Sequence, residues 1–378
     1  MAYTKGQDVF PAPIDILNII GIEDKSNTLY LLDRMYMNTL KYLIILKDKV
    51  KHRLVDMEKI ATYMHNLLKK QLNNIPAIVD HISWVKEVLR LAEFFISCGR
   101  FMECKNHLIV ASVVAKHFND YCKIHVELSA KKKGCLHRQY IYIISIIDTC
   151  WVRYGLILLY SSSKHVLEKE GRDNFSWTNC YEAKSMVQSV KQSTGLLLFT
   201  CTEKEYEDFM YIARDNYITN CNDAKIIFVR ILQLVNKVKA NKFVSEDADV
   251  RAELAQYISK AYKYLGFFER DKVNQMKLQK RRVEALEDCL KTLNEDDQIY
   301  CSFIWFELAV INSIVLDVNI ENVDRDKLTA EELAEIDQLV KYIVNYFQLY
   351  MENFDAVRYG LTNDVVDVLT KITKLFLL

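Results

Sequence analysis

Apolar residues recur at helical spacing along most of the chain, and residues 82–117 show the pattern most clearly. One helical face there consists of Trp84, Val88, Leu91 and Phe95. Gly99 interrupts the pattern, after which a second face consists of Phe101, Cys104, Leu108, Ala111 and Ala115. Residues at this spacing lie on one side of a helix. The stretch therefore predicts a helical hairpin about as long as one tetratricopeptide unit.

Two further hairpins are predicted, over residues 39–72 and 252–290. In the second, Gly266 separates the two helices much as Gly99 does in the first. The two glycines are 167 residues apart, which is not a multiple of the tetratricopeptide period of about 34 residues. We therefore expect a degenerate helical-repeat solenoid and not a regular repeat array.

Glycine and proline, the residues that most often form turns and interrupt helices, are scarce. The 378 residues include nine glycines and three prolines, and no proline follows Pro76. Sheet-rich domains need turn residues at short intervals, so the chain is predicted to be all-α: a tetratricopeptide-like helical-repeat solenoid.

Polar composition divides the chain at residues 161–196, where SSSKHVLEKEGRDNFSWTNC is followed by a segment that ends at Gly195. We expect two lobes joined by a linker helix. The predicted divisions are an irregular N-terminal segment (1–33), an N-terminal repeat lobe (34–160), a linker (161–196) and a C-terminal repeat lobe (197–378).

Charge argues against a polyanionic partner. Lys+Arg and Asp+Glu number 50 each, with a pI near 7.1, so the chain lacks the basic footprint of a nucleic-acid-binding protein. Residues 283–356 differ from the whole, with seventeen acidic and four basic residues and a net charge of −13. Part of this is a solvated surface, but so acidic a zone is also suited to steering a basic protein partner.

The cysteines and the most apolar stretch both favour a cytoplasmic protein. Ten cysteines form no C-x-x-C pair, and no secretory leader is evident, so reduced thiols are expected. Residues 140–160 are long enough to span a bilayer, but Asp148 and Arg153 interrupt them. We interpret this stretch as a buried helix and expect no membrane insertion.

Chemical motifs are weak. The pairs CKNH (104–107) and CKIH (122–125) offer zinc ligands, but on one continuous helix they would lie about 27 Å apart. A zinc site would need a break near Asn119. Phosphate-binding loops, nucleophile elbows and H-E-x-x-H motifs are all missing from the sequence, so we expect no enzyme and no cofactor.

A basic run lies within residues 277–282. On a helical wheel, Lys277, Lys280 and Arg281 share an exposed arc, whereas Arg282 projects between two apolar faces. A buried cation needs a partner, so the run predicts a structural helix with an internal ion pair. A partner-binding face is the alternative.

The same region resembles a known family. KAYKYLGFFERDKVNQMKLQKRRVEALE (260–287) is similar to the signature of kinesin-binding proteins, in which Leu-x-Phe-Phe-Glu precedes Lys-Arg-Arg and an aliphatic residue. Three other stretches resemble the family in the same order: EKIATYMHNLLKKQL (58–72), WVKEVLRLAEFFISCGRFMECKNHL (84–108) and CWVRY (150–154). The likeness runs from about Tyr36 to Phe354. Residues 1–33 do not resemble the additional N-terminal repeats of family members, so the resemblance predicts either a shortened member of the family or an incomplete chain.

The resemblance implies a monomeric, non-catalytic regulator that receives kinesin motor domains in the solenoid groove and controls their engagement with microtubules. It also implies a place in the cytoplasm with the cytoskeleton and a role in transport, microtubule organisation and axon outgrowth. Tyr42 and Gln71 match a tyrosine and a glutamine of the family's groove, whereas Arg90 and Glu93 stand where threonine and glutamine are expected. Gly99, Gly266 and Arg282 are assigned structural roles. The alternative is a general helical-repeat scaffold that binds another helix or peptide.

Overall fold

The computed structural model describes Met35 and residues 57–72, 81–124, 130–169, 195–200, 217–241, 246–294, 297–322 and 329–353. All regular secondary structure in these residues is helical, which confirms the predicted all-α class. In chain order the helices are α1 (Met57–Leu72), α2 (His81–Ser97), α3 (Phe101–Ile124), α4 (Ala130–Lys169), α5 (Cys221–Lys239), α6 (Ala248–Gly266), α7 (Lys272–Leu290), α8 (Gln298–Asn322) and α9 (Ala330–Glu352).

Side-chain caps fix where several helices begin. Asn220 accepts a hydrogen bond from the backbone of Asp223 at the start of α5, and Asp271 accepts one from Val273 at the start of α7. At α9, Thr329 and Glu332 form a reciprocal capping box. Each cap satisfies amide groups that have no partner inside the helix.

The helices stack in a zigzag in which each packs on the next along the chain. In the described part of the chain, the substantial contacts between second neighbours join α2 to α4, α4 to α6 and α6 to α8. These four helices therefore form one continuous layer, which we call the inner row.

The hydrophobic core consists of three clusters, each shared by successive helices. One cluster of buried residues extends from α1 to α6, a second joins α6, α7 and α8, and a third joins α8 to α9. At Gly155 the helices α4 and α5 approach closely, because a Cβ atom there would lie 2.9 Å from Cγ1 of Ile231. Glycine is needed at this position by the packing and not by the backbone conformation.

Two helices contain segments long and apolar enough to cross a membrane by length and composition alone: Gly134–Leu167 of α4 and Gln298–Glu321 of α8. The most apolar window of the α4 segment is 61% buried within the fold, as expected of a core helix. The two charges that interrupt it both have partners. Asp148 forms an ion pair with Lys237 of α5 at 2.7 Å, and Arg153 binds residues of α2 and α6.

The hairpins predicted around Gly99 and Gly266 correspond to α2–α3 and α6–α7. The first helix of the predicted 39–72 hairpin lies outside the described residues. Helix α4 continues through residue 169, so the predicted lobe boundary at 160 falls inside a helix, and most of the predicted linker lies outside the described residues.

One short non-helical segment, Gly195–Thr200, crosses α1 to α3. The amide of Phe199 donates to Oδ1 of Asn106 at 2.8 Å, and Nδ2 of Asn106 donates back to the Phe199 carbonyl at 3.2 Å. Lys69 donates to the carbonyl of Leu198 at 3.2 Å. These bonds seat the Phe199 ring against the aromatic residues of the N-terminal core.

Candidate partner-binding face

The exposed side of the inner row carries side chains at helical spacing, three, four or seven residues apart, on each helix. On α2 these are Lys86, Arg90 and Glu93; on α4, Tyr142, Thr149 and Arg153; on α6, Asp249, Glu253 and Gln256; and on α8, Ile299 and Phe303. Such spacing places each set on one helical face. The four sets together form a surface that we call the inner face.

Arg153 joins three helices of the inner row. Its Nη1 atom donates to Glu93 of α2 at 2.6 Å, and its Nη2 atom donates to Glu253 of α6 at 2.6 Å. Its Nε atom donates to the hydroxyl of Tyr257 at 2.5 Å, and that hydroxyl donates in turn to Glu253. One guanidinium thus fixes the mutual position of α2, α4 and α6.

The electrostatics of this network hold Arg153 in its charged form. Burial by itself lowers the pKa of Arg153, but Tyr257 and Glu253 outweigh burial and raise the pKa above its ordinary value. Burial raises the pKa of Tyr257, so this hydroxyl keeps its proton and remains a donor to Glu253. The side chains of Glu93 and Arg153 remain 47% and 40% exposed, so a partner on the inner face can reach them.

A second contact between α2 and α4 lies nearby. The ammonium of Lys86 lies 5.0 Å from the centroid of the Tyr142 ring, within range of a cation–π interaction. Tyr142 nevertheless remains 49% exposed. The part of the inner face on α2 and α4 therefore presents Lys86, Arg90 and Arg153 beside one exposed aromatic ring.

An open groove of about 420 Å³ lies between α6 and α8. Its lining residues are Asp249, Ala252, Glu253, Gln256, Tyr300 and Phe303. Glu253 belongs both to this groove and to the Arg153 network, so the two features are contiguous. The net charge along the inner face is uneven: Lys86, Arg90 and Arg153 outnumber Glu93 on α2 and α4, whereas Asp249 and Glu253 of α6 lie beside aromatic rings of α8.

The structure brings two of the predicted partner-binding residues together. Arg90 and Glu93 share the exposed face of α2; Arg90 lies 3.3 Å from Glu87, and Glu93 is held by Arg153. Gln71 lies half-buried near the end of α1, outside the inner row. Tyr42 lies outside the described residues. The role of these four residues in partner binding stays a prediction.

The three residues assigned structural roles occupy special positions. Gly99 has a φ of 72° in the turn between α2 and α3, a conformation that glycine adopts without strain. Gly266 is the last residue of α6. Arg282 is 3% exposed, and its guanidinium pairs with Glu307 at 3.1 Å, Gln279 at 2.6 Å and Ser259 at 3.2 Å.

The candidate zinc ligands lie on an unbroken helix. Helix α3 continues through Asn119, so Cys104 and Cys122 are separated by about 27 Å at the rise of an α-helix. Cys104 and His107 are buried, and His125 lies outside the described residues. His107 instead donates from Nδ1 to the carbonyl of Glu103 at 2.8 Å. Among the residues that the structure describes, no group of His, Cys, Asp and Glu is arranged to hold a metal ion.

Sequence reasoning missed Arg153, Tyr257 and Phe303 as parts of a site. In the sequence, Arg153 stands out only as a charge that disfavours membrane insertion, although a cation within an apolar helix also indicates an acidic partner nearby. No local signal connects it to Glu253, which lies 100 residues away in sequence. Phe303 belongs to a nearly continuous apolar run, in which periodicity does not separate exposed from buried positions.

The described residues thus form an all-α stack of helices whose inner face exposes charged and aromatic side chains. Residues 82–371 match the family model described as KIF-1 binding protein C terminal. The chain belongs to this family, because the match covers well over half of its length.

Curated relatives from several animals are named KIF-binding protein. The KIF-binding protein of Drosophila melanogaster is 24% identical over 304 residues, which cover 79% of this chain and 48% of that protein. For the Danio rerio protein the identity is 24% over 334 residues, covering 84% and 51%, and for the Homo sapiens protein it is 26% over 336 residues, covering 85% and 52%. The chain therefore spans about half the length of the curated relatives it matches.

Solved structures add little. A de novo designed 16-helix transmembrane nanopore aligns with 92% of this chain at 12% identity, with a TM-score of 0.23. A likeness of this size is too weak to support any conclusion.

Proposed function

We propose that this protein is a non-catalytic regulator that binds kinesin motor domains on its inner face and controls their engagement with microtubules. The observation that carries the proposal is membership of the KIF-binding protein family over residues 82–371, since that span includes the described inner face from α2 to α8. Its setting would be the cytoplasm and cytoskeleton, in microtubule-based transport and organisation, including axon outgrowth in neurons.

The geometry of the inner face supports binding of a macromolecule. Its exposed groups come from helices that are held rigidly by ion pairs and by a continuous core, so the face needs little ordering when a partner binds. Exposed aromatic side chains beside charged groups are typical of protein interfaces. Charge polarised along the face would set the orientation of the partner.

A pull-down with several purified kinesin motor domains tests the proposal, and the chain offers a matched pair of variants. Arg90 on the inner face and Arg281 on α7 are both exposed, and each pairs with a glutamate three residues away. We expect Arg90→Glu to weaken motor binding about tenfold, as reversal of an interfacial charge does, and Arg281→Glu to leave it unchanged. Equal retention of a motor by both variants would place binding elsewhere.

The second candidate is a scaffold for another helical or peptide partner. It is favoured by the replacement of the expected threonine and glutamine by Arg90 and Glu93 on the very face that would contact a motor. Failure of the wild-type protein to retain any motor domain would support this alternative.

A further inference from the structure

The groove between α6 and α8 has a chemistry of its own. One wall carries the carboxylates of Asp249 and Glu253, which are four residues apart on the same face of α6. The other wall carries the rings of Tyr300 and Phe303, three residues apart on α8. The groove therefore places acidic groups opposite aromatic rings.

Phe303 is the unusual member of this set, because its side chain is 50% exposed although α8 is otherwise rich in buried residues. Leaving half of an aromatic ring in water is unfavourable relative to burying it. The neighbouring Ile299 is 55% exposed. These two residues form an apolar edge at the mouth of an acidic groove.

Nothing on α8 neutralises the acidic groups, because Gln298–Asn322 contains no lysine or arginine. Arg153 already engages Glu253 from the α4 side. The next basic residue along this face of α6 is Lys260, which lies about one turn beyond Gln256 and does not line the groove. The other carboxylate, Asp249, is exposed, and its Oδ1 atom accepts a hydrogen bond from the backbone amide of Val250 at 2.7 Å.

These features exclude most kinds of side chain that a partner could insert into the groove. An anionic side chain would be repelled by Asp249 and Glu253, and a purely apolar one would take these carboxylates out of water without a partner. A cationic side chain interacts favourably with both walls, since it pairs with the carboxylates and is attracted to the faces of the rings. The groove volume of about 420 Å³ lies in the lower part of the range for ligand sites, roughly 300–1,000 Å³.

We propose that the α6–α8 groove receives an arginine side chain of the bound partner. Arginine is favoured over lysine because its planar guanidinium stacks on aromatic rings and bonds carboxylates through two parallel hydrogen bonds. The partner's arginine enters beside Phe303 and Tyr300, pairs with Asp249 and extends the row of alternating charges that already runs through Glu93, Arg153 and Glu253. This inference rests on the proposed function, in that the partner used to test it is a kinesin motor domain.

Two variants and two matched controls test the groove by the dissociation constant of a kinesin motor domain. Phe303→Ala removes the ring and is expected to weaken binding about 3- to 30-fold, the range of a cation–π contact. Asp249→Asn removes one charge and is expected to weaken binding about tenfold. Ile226→Ala, at an apolar position of α5 that is 48% exposed, and Asp288→Asn, at an exposed carboxylate of α7, should leave affinity unchanged. Thermal melts should be the same for all four, because none of these side chains is buried.

Photo-crosslinking identifies the segment of the partner that lies in the groove. Replacement of Phe303 by p-benzoylphenylalanine should crosslink to a motor segment that contains an arginine, and Arg→Lys substitution in that segment should weaken binding. Crosslinking to a segment without arginine, or unchanged affinity for both groove variants, would overturn the inference while leaving motor binding intact. Failure of wild-type protein to bind any motor would overturn both the inference and the proposed function.

Discussion

Arg153 of α4 and Glu93 of α2 are 60 residues apart in sequence, and their charged groups lie 2.6 Å apart on the inner face. The same guanidinium reaches Glu253 and Tyr257 of α6. A single side chain thus links three successive helices of the inner row. Its hydrogen bonds run along the face where a partner would lie, so one group both braces the solenoid and helps to form the surface.

We expect Arg153→Met to lower the free energy of unfolding by about 1 kcal/mol. The loss is modest because the ion pairs are about half exposed and are screened by water. Urea denaturation of this variant beside Arg281→Met measures the difference, since Arg281 pairs only with a residue of its own helix among the contacts seen here. Equal stabilities would show that the Arg153 network does not brace the inner row.

Arg282→Ala should be far more destabilising than Lys277→Ala. Removing Arg282 leaves Glu307 without its charged partner beside a buried cavity, and such losses amount to about 3–5 kcal/mol. Lys277 is exposed, and its replacement should change stability by less than about 0.5 kcal/mol. Thermal denaturation compares the two, and equal melting temperatures would contradict the structural role assigned to Arg282.

Much of the fold could be predicted from local sequence, because helix formation depends on spacing that can be read directly. The helices on either side of Gly99 are an example. Long-range pairing could not be predicted in the same way: nothing near Arg282 specifies Glu307, and nothing near Arg153 specifies Glu253. Which residues of an apolar helix stay exposed, as Phe303 does, depends on neighbours that are packed only in the folded chain.

The buried histidine pair predicts a loss of stability in acid. His107 donates from Nδ1 to a carbonyl, so its Nε2 accepts from Nδ1 of His65 at 3.2 Å and both rings are neutral. Burial lowers the pKa of His65 to about 4 and that of His107 to about 3. Unfolded histidines bind protons below about pH 6.5, so stability is complete above this pH and falls as the pH drops toward 4.

At pH 5 this loss should be on the order of 2 kcal/mol for each histidine. Denaturant titrations at pH 7.5 and pH 5 measure it, and the single variant His65→Gln should reduce the difference between the two conditions. An unchanged difference in that variant would assign the acid sensitivity to other groups.

Alanine substitutions at Gly99 and Gly134 test how backbone conformation at each glycine affects stability. A Cβ atom would meet nothing within 4 Å at either position, so steric clash is absent from both. Gly99→Ala should cost about 1 kcal/mol because its φ is positive. Gly134→Ala lies within α4 and should stabilise the protein by about 0.5–1 kcal/mol. Melting temperatures should therefore shift in opposite directions, and shifts of the same sign would contradict the conformational assignment.

Microtubule cosedimentation of a kinesin motor domain, measured with increasing amounts of this protein, tests the central claim most directly. If the inner face receives the motor and controls its engagement, the motor should move from the microtubule pellet to the supernatant in a stoichiometric complex with this protein. Motor that remains in the pellet at saturating protein, with or without the protein bound to it, would contradict the account.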